Sequence, residues 1–206
     1  MATNTTDISS SKTTKGQAGV GAEAASPSFE SIQVKNRAIN EGPGVKLSPH
    51  QKLLVGSVLD LFEGNPTLRH LSLWSQDGVF ADPITVASGY RQFAAQWYGL
   101  SALFGPIRIQ SHSVTSAGNP IEMSMSNKYT LKGIGIGQTI NSVIRIDVGQ
   151  DGKIRKVEDR WNDKLPEGMV SDAFRKLNAK TVPTLVTVPK DEEEDLKLKA
   201  SRENSS

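Results

Sequence analysis

Apolar residues recur with two different periods along this chain, and the change of period divides it. In "LSPHQKLLVGSVLDLFEGNPT", residues 47 to 67, Leu54, Val58 and Leu61 fall at i, i+4 and i+7 and make one apolar helical face. Ser48 followed by Gln51 is a capping-box pattern, and Pro49 suits the first helical position. "GNPT" stops this helix, and Thr67 is placed to cap a second, shorter one carrying Leu68, Leu71 and Trp74. "VFADP", 79 to 83, reads as a short strand that ends where Pro83 has no amide to donate. A third helix runs through "GYRQFAAQWYGLSALFGP", with Tyr90, Phe93, Ala94, Trp97 and Phe104 on a shared face and Gly105-Pro106 as its stop.

After Pro106 the period drops from 3.6 to 2. "IRIQSHSV" alternates, and "IEMSMSNKYTL" puts Ile121, Met123, Met125, Asn127, Tyr129 and Leu131 on one side. "QTINSVIRIDV" groups Ile140, Ser142, Ile144 and Ile146, and "KIRKVEDRW" groups Val157, Asp159 and Trp161. Gly118-Asn119-Pro120, "KGIGIG" and "GQDGK" are the turns between them. Three helical segments followed by four antiparallel strands predict an α+β domain with its helices on one face of a curved sheet.

The flanks carry neither period. Residues 1 to 45 are rich in Ser, Thr, Gly and Ala and hold too little apolar surface to offset the entropy of ordering, which predicts a disordered tail. The domain is expected between 46 and 180, followed by an extended segment and a charged tail over 181 to 206. In that tail Glu193 with Lys197, and Asp195 with Lys199, fall at i,i+4, the pattern of a short solvated helix.

The totals exclude several classes of chemistry. Of 206 residues, 24 are basic and 22 acidic, a net charge of +2, which gives no electrostatic footprint for nucleic acid. There is no cysteine, so disulfides, zinc–cysteine sites and thiol catalysis have no basis, and a reducing compartment fits. No apolar run reaches the length of a membrane span, and the N-terminus has no apolar core of a secretory signal, so the expected location is the cytoplasm or the nucleus.

The order of elements, with "LSLWSQDGVFADP", the "GYRQF" helix and then long hairpins ending in "IRIDVGQDGKIRKVEDRW", resembles the nuclear transport factor 2-like superfamily over residues 48 to 165. That superfamily includes SnoaL-like cyclases, ketosteroid isomerases and scytalone dehydratases. The resemblance implies a cone: a strongly bent sheet wrapped around a long helix, often enclosing an apolar pocket, and often dimeric through the sheet. It implies no particular activity, because members of one fold carry different chemistries or none.

Asp82 matches the proton-abstracting aspartate of the ketosteroid isomerases, which stands in the same aspartate-proline context. A carboxylate at an apolar mouth has a raised pKa and can move a proton between carbons of a ligand. That family also uses an oxyanion hole built from a tyrosine and a protonated acid. Counted along this sequence those positions hold Val58 and Ser142, so the developing enolate would lack its donors. The competing reading is that Asp82 accepts backbone amides in the loop after Pro83.

Asp159 shares a strand face with Val157 and Trp161 and is either a second pocket carboxylate or the partner of an indole. Asn127, among apolar neighbours, must bond either a ligand or a nearby strand residue such as Ser142. Trp97, Tyr98, Tyr129 and Trp161 line a pocket or simply fill the core. His112 stands alone on its strand where scytalone dehydratases use paired histidines, and no two histidines have metal-ligand spacing. "GIGIG" has no following helix and is a hairpin, not a phosphate loop.

The expected function is therefore a cofactor-free module that binds a small apolar ligand or a protein partner and forms a homodimer through its sheet. The alternative is an isomerase, dehydratase or cyclase acting on an apolar carbonyl compound, with Asp82 as base and Asp159 or His112 assisting.

Overall fold

The computed structural model describes residues 26–162, 168–177 and 186–204. Its frame is a six-stranded sheet in the order β2-β1-β6-β5-β4-β3. The strands are β1 Trp74–Asp82, β2 Thr85–Ser88, β3 Phe104–Ser116, β4 Ile121–Leu131, β5 Gly137–Val148 and β6 Ile154–Trp161. The helices are α1 Phe29–Ile32, α2 Pro49–Phe62, α3 Leu68–Ser72, α4 Tyr90–Leu103, α5 Met169–Lys176 and α6 Glu192–Glu203.

The caps read from the sequence form as written. Ser48 Oγ accepts from the Gln51 amide at 3.2 Å, and Gln51 Oε1 accepts from the Ser48 amide at 2.9 Å, with Pro49 opening α2. Thr67 caps α3 through the His70 amide at 3.2 Å. Helix α4 begins at Gly89, whose φ of 80° turns the chain sharply out of β2. The alternating residues of β4 to β6 also fall as expected, with Ile121, Met123, Met125, Asn127 and Tyr129 all buried on one face. The alternation expected of β3 is broken by a register shift between Ile109 and Ser111, which sets His112 opposite Met125 and Val114 opposite Met123.

Several expectations are corrected. The strand read as "VFADP" extends back to Trp74, so Trp74 belongs to β1 rather than to the short helix, its ring stacked on Phe93 at 4.8 Å. Phe104 opens β3 instead of closing the third helix. A further strand, β2, pairs antiparallel with β1. The sheet is not wholly antiparallel, because β1 runs parallel to β6.

The expected tail through residue 45 is also packed structure over its described part. Ile32 and Val34 are buried in the core, and the amides of Lys35 and Asn36 bond Asp60 in the middle of α2. A β-carbon at Gly56 would collide with the Asn36 carbonyl, so that glycine is what lets this segment lie across the helix. Residues 1–25 lie outside the described residues. The C-terminal charged stretch forms α6, with the Glu193–Lys197 pair at 2.7 Å, but Asp195 does not pair with Lys199. Asp195 is buried, accepting from the Tyr98 hydroxyl and the Leu68 amide, both at 2.7 Å, so the helix is docked rather than solvated.

Candidate functional site

The open side of the bent sheet faces α2 and α4, and between them lies a chamber of about 30 Å³. Its walls include Phe62 of α2, Phe80 and Asp82 of β1, Trp97 of α4, Tyr129 of β4, and Asp159 and Trp161 of β6. Phe174 and Leu177 close it from α5.

Backbone register brings the two carboxylates together. In the parallel pairing of β1 with β6, Phe80 lies opposite Val157 and Ala81 opposite Glu158. Side chains alternate across a sheet, so one step further on, Asp82 and Asp159 point to the same inner side as the buried Phe80 and Val157.

Asp82 is half-buried, and its Oδ1 accepts from the Ile84 amide at 2.8 Å, which shapes the β1–β2 turn. Burial pushes its pKa up to about 6, against the pull of the Ile84 and Thr85 amides. Asp159 is buried, and its Oδ2 accepts from the Trp161 indole at 2.9 Å. Its Oδ1 has no well-aligned hydrogen-bond partner among the described residues, although the Ser142 hydroxyl is near enough to act on its charge. Burial pushes Asp159 up to about 7, with the Asp82 charge adding to it and the Trp161 and Ser142 dipoles opposing. Among the described residues, no Lys, Arg or His lines the chamber.

The aromatic walls form two groups. Phe62, Phe80 and Trp97 pack edge-on or tilted, at 5.1 Å for Phe62–Trp97 and 4.7 Å for Phe80–Trp97. Phe174 stacks on Phe104 at 4.6 Å and meets Tyr129 at 5.0 Å and Trp161 at 5.9 Å. The Trp97 indole N–H is buried with no partner among the described residues. The Tyr129 phenol is held well above its usual range, first by burial and then by the Asp159 charge.

Of the residues singled out in the sequence, Asp82, Asp159, Trp97, Tyr129 and Trp161 converge on this chamber. The others do not border it. Asn127 is buried and donates to the Phe62 carbonyl at 2.9 Å, capping the end of α2. Ser142 is buried beside Asp159 on the neighbouring strand. Tyr98 faces the other way, its hydroxyl on Asp195. His112 lies half-buried on β3 and accepts from the Asn40 amide through Nε2 at 3.0 Å, which makes it a tether for the N-terminal segment.

Sequence reasoning missed the closing helix. Its signal is present, since Val170, Ala173, Phe174 and Leu177 fall at i, i+3, i+4 and i+7 and are all buried. It also missed a buried polar network in which His70 Nε2 bonds Asp60 Oδ2 at 2.9 Å and His70 Nδ1 meets Thr67 Oγ1 at 2.6 Å. Among the described residues no cluster of three or more His, Cys, Asp or Glu is arranged to hold a metal ion. Nor is any described helix long and apolar enough to cross a membrane.

The chain is similar in structure to nuclear transport factor 2-like proteins. A protein of unknown function of this kind from an Exiguobacterium species aligns with a TM-score of 0.45 at 15% identity, over 54% of this chain and 99% of that one. A protein with a ketosteroid isomerase-like fold from Catenulispora acidiphila, solved with trimethylamine, aligns at 0.44 and 14% identity over 52% of this chain and 82% of that one. A designed protein with a curved β-sheet aligns at 0.44 and 13% identity over 65% and 96%. No family model and no curated protein matches the sequence. At these scores the description of the cone stands on the chain's own strand order and register.

Proposed function

We propose that this protein is a small-molecule-binding module whose site is the interior of the cone, without catalysis of its own. The observation that supports this most directly is the chamber itself. A buried and a half-buried carboxyl group and two sets of aromatic rings converge on a space closed by a helix that is not part of the sheet. Ligand sites are typically concave and mostly apolar, with a few convergent polar groups. At about 30 Å³ the chamber holds one water-sized group, so a larger ligand requires α5 to withdraw.

Native mass spectrometry of the purified chain tests the reading. The expected result is a bound small molecule, or a mass shift when a library of apolar compounds is added. Failure of every compound to bind, with α5 protected from hydrogen exchange throughout, would sink it.

A second reading is favoured by one specific feature. Asp82 and Asp159 share the chamber with pKa values pushed to about 6 and about 7, and the Tyr129 hydroxyl is close by. One ionised and one protonated carboxyl, with a phenol as donor, is a set suited to proton transfer on a carbonyl compound. Asp82→Asn separates the two readings, because it removes turnover in an isomerase, dehydratase or cyclase while a binding module has no turnover to lose.

Homodimerisation through the sheet belongs to the same proposal. The outer face of β3 to β5 presents Gln110, Ser124, Ser126, Thr139 and Asn141, an uncharged centre with Arg108 and Lys128 at one edge and Glu122 and Arg145 at the other. Depletion of charge at the centre of a patch is the compositional mark of an interface. Ser126→Arg should shift a dimer to monomer in light scattering. The expected location is the cytoplasm or the nucleus.

A further inference from the structure

We propose that the ligand of the chamber is a primary ammonium carried on an apolar, ring-bearing tail, its N–H groups donating to Asp159 and Asp82 and its ring taking the place of Phe174. This rests on the binding reading above and narrows it to a chemical class.

Three observations carry it. First, Asp159 is only 5% exposed, and its Oδ1 has no well-aligned hydrogen-bond donor among the described residues, the Ser142 hydroxyl being its polar neighbour. A buried carboxylate oxygen left without a donor is unfavourable, and a ligand that supplies N–H groups removes that deficit. Second, among the described residues the chamber walls hold two carboxyl groups and no cationic side chain, so this lining is complementary to positive charge. Third, Phe62, Phe80 and Trp97 line the same chamber, and aromatic rings are side chains that attract organic cations.

Size divides the ligand into head and tail. The chamber of about 30 Å³ matches one water's share of liquid volume and therefore one ammonium head. The tail has room only if the Phe174 ring leaves. That ring sits against Phe104, Tyr129 and Trp161, a slot already shaped for a phenyl group. A neutral alcohol or carbonyl ligand could fill the slot but would leave the two acids without countercharge.

The test titrates the full chain with phenethylammonium and with its neutral isostere phenethyl alcohol, by calorimetry and tryptophan fluorescence, at about pH 8, where an alkylamine like that of lysine stays protonated. The amine should bind at least about tenfold tighter than the alcohol, as expected for a desolvated cation among rings and acids. Asp159→Asn should erase that preference and leave alcohol binding unchanged. Phe174→Ala, with Phe174→Leu as the milder variant should alanine fail to fold, should tighten binding of both compounds. If the alcohol binds as tightly as the amine, the ammonium assignment is wrong while the cone remains a binding site. If neither compound binds the wild-type chain or either Phe174 variant, the binding reading fails as well.

Discussion

Phe174 stacks on Phe104 with ring centroids 4.6 Å apart, and this contact seats a helix from beyond the sheet in the mouth of the cone. A second tie lies at the end of the same helix, where the Gln96 side-chain amide donates to the Leu177 carbonyl at 2.6 Å in a buried site. Phe174 is therefore a core residue in energy and a plug in position. Phe174→Ala should lower the unfolding free energy by about 3 kcal/mol, the usual penalty for emptying a buried phenylalanine site. Urea titration measures this. Trp161 emission should shift to the red at the same time, because the ring beside it is gone. A loss below about 1 kcal/mol would mean that α5 packs too loosely to close anything.

The two chamber acids make stability depend on pH. Burial raises Asp159 to about 7 from its ordinary value of 3.8. Below the unfolded value the group is protonated in both states and contributes no difference. As pH rises past it, the unfolded chain ionises while the folded chain holds its proton, so the fold loses stability until the folded pKa is passed. Asp82, raised to about 6, adds in the same direction, and Tyr129 stays neutral across this window. Asp159→Asn should then be close to neutral at about pH 4 and stabilise the protein by up to about 4 kcal/mol at about pH 8. Denaturant titrations at the two pH values check the sign. Equal effects at both would show that Asp159 is ionised in the fold throughout.

How much of this was legible in the sequence depends on whether a feature is local. The Ser48–Gln51 box, the Thr67 cap and the alternation of β4 each depend on residues a few positions apart, and all three form. Alternation also placed Asp159 on the strand face of Val157 and Trp161. It did not predict that Asp82 would lie beside it, because that follows from the parallel pairing of β1 with β6, a contact between segments some 77 residues apart (159 − 82). Composition misled at both ends. Residues 26 to 45 are mostly small and polar, yet a few well-placed groups, Ile32, Val34 and the amides of Lys35 and Asn36, are enough to fasten them.

That fastening makes a sharp prediction. Asp60 is fully buried and accepts from the Lys35 amide at 2.7 Å, the Asn36 amide at 3.0 Å, the Asn36 side chain at 2.7 Å and His70 Nε2 at 2.9 Å. Asparagine is nearly isosteric but turns one acceptor into a donor facing donors. Asp60→Asn should cost about 3 kcal/mol or more, the scale for breaking a buried charged network. Gly56→Ala should have a related effect by pushing the Asn36 carbonyl away. Hydrogen exchange reports both. Amides from Val34 to Asn36 should lose protection in either variant while those of β4 and β5 keep theirs, and unchanged protection there would overturn the tether.

Helix α6 is held mainly by inward-facing groups, the buried Asp195 carboxylate and Arg202, which donates to the Pro66 carbonyl at 2.7 Å, rather than by its many surface charges. Arg69 with Glu192 and Lys35 with Glu203, each at 3.1 Å, are exposed pairs and worth little individually. Asp195 is different, because it caps the first amide of α3, that of Leu68, and also accepts from the Tyr98 hydroxyl at the buried face of α4. Removing it leaves two buried donors unpaired and takes a negative charge from a helix N-terminus, and both effects act in the same direction. Asp195→Ala should release α6, with about 2 to 4 kcal/mol lost and new proteolytic cleavage between Glu192 and Glu203. Glu192→Ala, which breaks only an exposed pair, should change stability by less than about 0.5 kcal/mol and leave the helix protected. Equal behaviour of the two variants would mean that α6 is carried by its surface ion pairs after all.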